Sequence, residues 1–204
     1  MHTDKSIIRL SAALALVTGL LSACAPSDPQ EPEQPNEAAT STEIDYLATS
    51  RQLAERLQGA LGPKLMAAMK SGGPPEAIRV CQAVAQDLTR AASESEAAVT
   101  IRRTALRVRN PENAPDALDR EVLESWEADA GRTGPPKPSM TTLEDRRIVH
   151  RPIMMAELCL QCHGSPEQID PETAAQIANY YPEDEATGFS AGAIRGAFRI
   201  EFAR

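Results

Sequence analysis

Residues 159–163 read CLQCH, and no other stretch constrains the rest of the chain so tightly. Two thiols one helical turn apart can both reach the vinyl groups of a haem, and a histidine directly after the second thiol brings its imidazole to the iron. A zinc ribbon would need a second Cys or His pair, and none is present: His2 sits at the N-terminus and His150 stands alone. A thioredoxin-like redox pair would need a βαβ context and would leave His163 without a purpose. The pentapeptide therefore predicts one covalent haem c, attached at Cys159 and Cys162, with His163 as proximal ligand.

The second axial ligand has to come from elsewhere. Downstream of His163 the chain contains no Met, His, Cys or Lys, so only Tyr180 and Tyr181 are available there. This excludes the small soluble cytochrome with an early haem motif and a late axial Met. It also disfavours an open-site four-helix bundle, because the tail turns to strand. Ile194, Phe198, Ile200 and Phe202 share parity in IRGAFRIEF, the alternation of a half-buried β-strand. Upstream, the candidates are Cys81, His150, Met66, Met69, Met140, Met154 and Met155. Met154 and Met155 lie too close to Cys159 to cross to the opposite haem face and suit core packing. His150, in RRIVHRP, suits a surface or core role on a strand. Met66 and Met69 follow Gly62 and Pro63 on an Ala-rich helix, where Met fills gaps. Cys81 shares one apolar helical face with Ile78, Val84, Ala85 and Leu88; it is either the ligand or a small buried hydrophobe.

The N-terminus points to export. Lys5 and Arg9 precede an apolar run of about a dozen residues from Leu10 to Leu21, and LSAC at 21–24 resembles a bacterial lipobox. The run is too short to span a bilayer. We expect a lipoprotein signal peptide over 1–23, acylation of Cys24, and a tether over 24–43. Several acyl chains give firm anchoring where one does not, and Ala25 favours outer-membrane sorting if the host has two membranes. In the tether Pro26, Pro29, Pro32 and Pro35 recur among Glu, Gln and Ser, a composition that buries no core. At about 3.1 Å per residue in polyproline II it reaches about 60 Å. With Cys24 lipidated and two thiols on haem, Cys81 is left without a disulfide partner. Removal of residues 1–23 takes away Lys5, Arg9 and Asp4, a net +1, and turns the formal charge of −8 into −9. Nucleic acid is therefore a poor partner.

Residues 44–204 suit one α+β domain. Leu47, Leu53, Leu57, Leu61 and Leu65 mark a first helix ending before Gly72 and Gly73, and Pro74 and Pro75 open the Cys81 helix. Residues 99–108 are strand-like, NPENAPD breaks them, and DALDREVLESWEADA is helical with Leu118, Val122 and Trp126 on one side. MTTLEDRRIVHRPI supplies further strand, so helices should cover one face of an antiparallel sheet. Arg102, Arg103, Arg107 and Arg109 either neutralise haem carboxylates or, as is more ordinary, form a solvated strand face.

AIRVCQAVAQDL, RRTALRVRNPENAPDALDREVLESWE, RPIMMAELCLQCHG and YPEDEATGFSAGAIRGAFRIEF, in that order, resemble the family of single-haem c-type proteins with a PAS-like domain. The resemblance implies a PAS-like antiparallel sheet covered by N-terminal helices, His163 as proximal ligand and Cys81 as distal thiolate. An anionic thiolate favours ferric iron, so such a site has a low potential. Two function classes follow: electron transfer to a periplasmic redox protein, or a periplasmic sensor of redox state, NO or CO acting through a partner. A peroxidase-like enzyme requires an open distal site, with Cys81 not ligating. No kinase or cyclase segment follows, which implies a stand-alone lipoprotein.

Overall fold

Two glycines divide the first helix. In the computed structural model, which describes residues 44–95, 97–132 and 134–203, α1 (Tyr46–Glu94) runs as two arms joined where Gly72 (φ −151°, ψ 17°) and Gly73 (φ 68°, ψ −162°) leave helical geometry. Gly73 takes a positive φ that side chains rarely tolerate, and Pro74 and Pro75 restart the helix where their missing N–H groups cost nothing. The Asp45 side chain caps the first arm by accepting from the Ala48 amide at 2.9 Å. The predicted signal peptide, Cys24 and the tether lie outside the described residues.

The remaining elements are β1 (Val99–Thr104), α2 (Ala117–Asp129), β2 (Ser139–Thr142), β3 (Arg146–Met154), α3 (Leu160–His163), α4 (Pro171–Tyr180) and β4 (Ile194–Ala203). The four strands form one antiparallel sheet in the order β1-β4-β3-β2, so the last strand in the chain is an inner one. Leu53 and Leu57 of α1 pack with Ile101, Val149, Phe198, Ile200 and Phe202 on one sheet face. The expected first-helix stripe is thus realised from Leu53 onward, whereas Leu47 stays exposed.

The α+β architecture agrees with expectation, and a second layer adds to it. Val122, Leu123 and Trp126 of α2 pack on Ile194 and Ala197 on the opposite face, so helices cover both sides of the sheet. The parity argument failed for Ile194. Ile153 pairs with Gly196 and Met154 with Ile194, so Arg195 is an extra residue in β4 and everything before it changes face. Gly196 permits this bulge, since a Cβ there would stand 2.3 Å from the Thr104 carbonyl oxygen and 2.9 Å from Ala105 Cβ. Gly196→Ala should cost about 1–3 kcal/mol by overcrowding two strands. A urea melt checks this, and an unchanged midpoint would show that the bulge relaxes freely.

Beneath α2 lies a buried polar network. Asp116 and Asp119 form a reciprocal capping box, the Asp119 amide donating to Asp116 Oδ1 at 2.8 Å and the Asp116 amide to Asp119 Oδ2 at 3.1 Å. Asp119 is fully buried and also receives His150 Nε2 at 2.8 Å, Arg199 Nη1 at 3.0 Å, Thr104 Oγ1 at 3.2 Å and the Arg102 guanidinium. His150 is fully buried on this side of the sheet. It has the core role anticipated for it.

Candidate functional site

The CLQCH segment is held as one short turn. A 3-10 turn at Glu157–Cys159 leads into α3, which closes with the Gly164 amide donating to Leu160 O at 2.8 Å. The spacing sets Cys159, Cys162 and His163 along one side of a single turn. Leu160 anchors the turn from below, buried against Met155, Ala186 and Phe189.

His163 is fixed in orientation and tautomer. Its Nδ1 lies 2.6 Å from the Ala186 carbonyl oxygen, which accepts the Nδ1 proton and leaves the Nε2 lone pair free for a metal. The Phe189 ring meets the imidazole edge to face with centroids 6.3 Å apart. Burial, reinforced by the charges of Arg109 and Arg195, lowers the His163 pKa to about 3, so the imidazole is neutral.

Two adjoining cavities, of about 430 and 240 Å³, flank this turn. Cys81, Cys159, His163, Arg103, Arg109 and Arg195 line both, and Cys162 lines the smaller. Cys81 arrives from the second arm of α1, whose Ile78 and Ala85 are buried as the apolar face required. Burial pushes the Cys81 thiol upward in pKa against the charges of Arg103 and Arg109, and pushes Cys162 to about 11. Both are thiols until bonded or metal-bound.

The chemistry of this wall fits a haem. A neutral imidazole with a free Nε2, a thiol from a different element, two more thiols at attachment spacing and three guanidinium groups surround space otherwise lined by Leu61, Leu65, Val84, Ile153 and Phe198. His163 and Cys81 would hold the iron, and Cys159 and Cys162 the ring.

The competing ligand candidates are distributed differently. Met66 and Met140 are exposed, and His150 faces α2. Met69 lines the smaller cavity, as does Tyr181, while Met154 and Met155 line the larger one and also pack against core clusters. Tyr180 packs against the cluster of Ile78, Ile169 and Ile177.

The arginine run is not a solvated strand face. Arg103 and Arg109 line the cavities, Arg102 turns to Asp119 on the far face, and Arg107 stacks on Phe189 with its guanidinium carbon 3.6 Å from the ring centroid. Arg109 ties the haem-motif turn in place: it donates to Cys162 O at 2.6 Å and is paired with Asp184 at 3.0 and 3.1 Å. Sequence reasoning missed Arg195, Asp184 and Phe189. A glycine inside a strand pattern, Gly196, was the available signal for the bulge that carries Arg195 into the cavity.

The fold and site together define an α+β domain in which one helix thiol and a CxxCH turn share an arginine-rimmed cavity. The chain belongs to the Tll0287-like family, whose model matches residues 30–203. Among solved structures it is similar to the cyanobacterial haem protein Tll0287, at 24% identity and a TM-score of 0.58, over 80% of this chain and 96% of that one. That likeness bears on the fold. No curated protein matches the chain by sequence.

Proposed function

We propose that this chain is an exported, membrane-anchored monohaem c-type protein that acts in low-potential electron transfer. The observation that carries the proposal is that Cys81 of α1 and the CLQCH residues Cys159 and His163 open onto the same two cavities. Membership in the Tll0287-like family supports haem binding, since the matched crystal structure is of a haem protein.

In this reading Cys159 and Cys162 would hold the haem covalently through their sulfur atoms. When bound, haem supplies a one-electron Fe(III)/Fe(II) couple. His163, its ring fixed by Ala186 O, would hold the iron through Nε2, and Cys81 would hold it as a thiolate, which favours the ferric state and lowers the potential. A peroxidase reading would instead need Cys81 not to ligate. Residues 1–23 direct export, Cys24 carries the lipid, and residues 24–43 hold the domain off the membrane surface, in the periplasm and on the outer membrane where there are two. Among the described residues no helix is long and apolar enough to cross a membrane.

A second reading, sensing of redox state, NO or CO through release of Cys81, is favoured by one feature. Cys81 lies on the arm of α1 beyond the Gly72–Gly73 break, where the helix leaves helical geometry.

Low-temperature EPR of the oxidised, haem-loaded chain beside Cys81→Ser tests the proposal. The wild type should give a low-spin ferric signal with the narrow g-spread of thiolate ligation, and the variant should lose it and shift to a higher potential. Superimposable spectra would remove Cys81 from the iron and reopen the enzyme reading. Rapid CO binding by the reduced wild type would favour the sensor.

A further inference from the structure

Arg103 reaches the cavities from β1, on the sheet face that α1 covers. Its Nη2 donates to Gln86 Oε1 of α1 at 2.9 Å, which leaves the rest of the guanidinium pinned between helix and sheet. Its Nε–H is buried and has no hydrogen-bond partner. A buried donor left unpaired is uncommon and costs free energy comparable to a lost hydrogen bond. The neighbouring cations differ. Arg109 is neutralised by Asp184, and Arg195 donates to the Arg107 carbonyl oxygen. Among the described residues no carboxylate forms an ion pair with Arg103. Arg103 from β1 and Cys81 from the second arm of α1 line the same two cavities.

We infer that Arg103 is a positioning residue for Cys81, its buried Nε–H and its charge being reserved for the sulfur when Cys81 ligates haem iron. The inference rests on the His163/Cys81 reading above. A hydrogen bond to a ligating thiolate withdraws electron density from sulfur, which weakens the Fe–S bond and raises the potential. The nearby positive charge acts in the same direction, because reduction adds an electron to a site that the cation stabilises.

Arg103→Met and Arg103→Lys, in the full haem-loaded chain, separate donor from charge. The midpoint potential is measured by spectroelectrochemistry and the Fe–S stretch by resonance Raman. Arg103→Met should shift the oxidised-to-reduced equilibrium at least tenfold toward the oxidised form, a fall of about 59 mV for one electron, with a raised Fe–S frequency. Arg103→Lys should show a smaller fall in potential with the frequency still raised, and it decides the matter alone if the Met variant does not fold. A shifted potential with an unchanged Fe–S stretch would assign the guanidinium to a haem carboxylate and overturn the inference. Unchanged values of both would overturn it as well. Absence of a thiolate EPR signal in the wild type would instead remove the ligand reading on which it stands.

Discussion

Replacing Cys159 and Cys162 together by serine should abolish covalent haem. The wild type, matured with a c-type attachment system, should keep its colour through a denaturing gel and stain for haem peroxidase activity. The double variant should show background staining only. Acid acetone should extract its pigment entirely. The effect is all-or-none because serine hydroxyls do not form thioethers, and each single variant retains one bond. The fold should survive the change. The turn is anchored by buried Leu160 and by Arg109 on the Cys162 carbonyl, contacts that a serine in place of either cysteine leaves in position. His163 and Cys81 also remain, so the double variant should still bind haem reversibly. A gel band that keeps its haem without both thiols would defeat the c-type assignment and leave only non-covalent binding.

Asp119→Ala should remove about 3–5 kcal/mol of stability, the usual result of breaking a buried charge network from one side. That is a large part of the 5–15 kcal/mol that holds a typical domain together. The loss has a definite cause: His150 Nε2, Arg199 Nη1 and the Arg102 guanidinium all converge on this carboxylate, and truncation leaves the buried His150 and Arg199 without it. The same network predicts the pH dependence. Burial alone would raise the Asp119 pKa, but the His150 hydrogen bond, the Asp116 amide and the charges of Arg102 and Arg199 hold it well below the ordinary carboxylate value of 3.8. A depressed native pKa means the contribution is complete above the unfolded value and is lost as pH falls through the native one. The stability of the wild type should therefore drop on the acid side of pH 4, while Asp119→Asn starts lower and changes less there. Urea melts between neutral pH and pH 3 make the comparison. A cost for Asp119→Ala under about 1 kcal/mol would show that the arginines find water or other partners instead.

The elements that local chemistry dictates were legible. CLQCH set two thiols and an imidazole along one turn beside the cavities, GGPP placed the break in α1 to the residue, and the spacing of Ile78, Cys81 and Ala85 turned Cys81 inward. What stayed hidden depends on partners distant in sequence. The buried face of α2 included Asp119, which reads as an ordinary capping residue until His150 and Arg199 arrive from β3 and β4. The four arginines of residues 102–109 look alike on paper, yet strand alternation and the end of β1 at Thr104 send them to different surroundings. Ile194 kept the right parity in number and the wrong one in space, because the extra residue Arg195 resets the register at the bulge.

The position of β4 between β1 and β3 bears on how such a chain is made. A polypeptide made from its N-terminus completes CLQCH some thirty residues before Ile194. Until β4 slots in, β1 and β3 have no common neighbour, and the wall carrying Arg195 and Phe198 does not exist. The last strand of the chain thus completes both the sheet and the wall of the cavity that Cys81, Cys159 and His163 line.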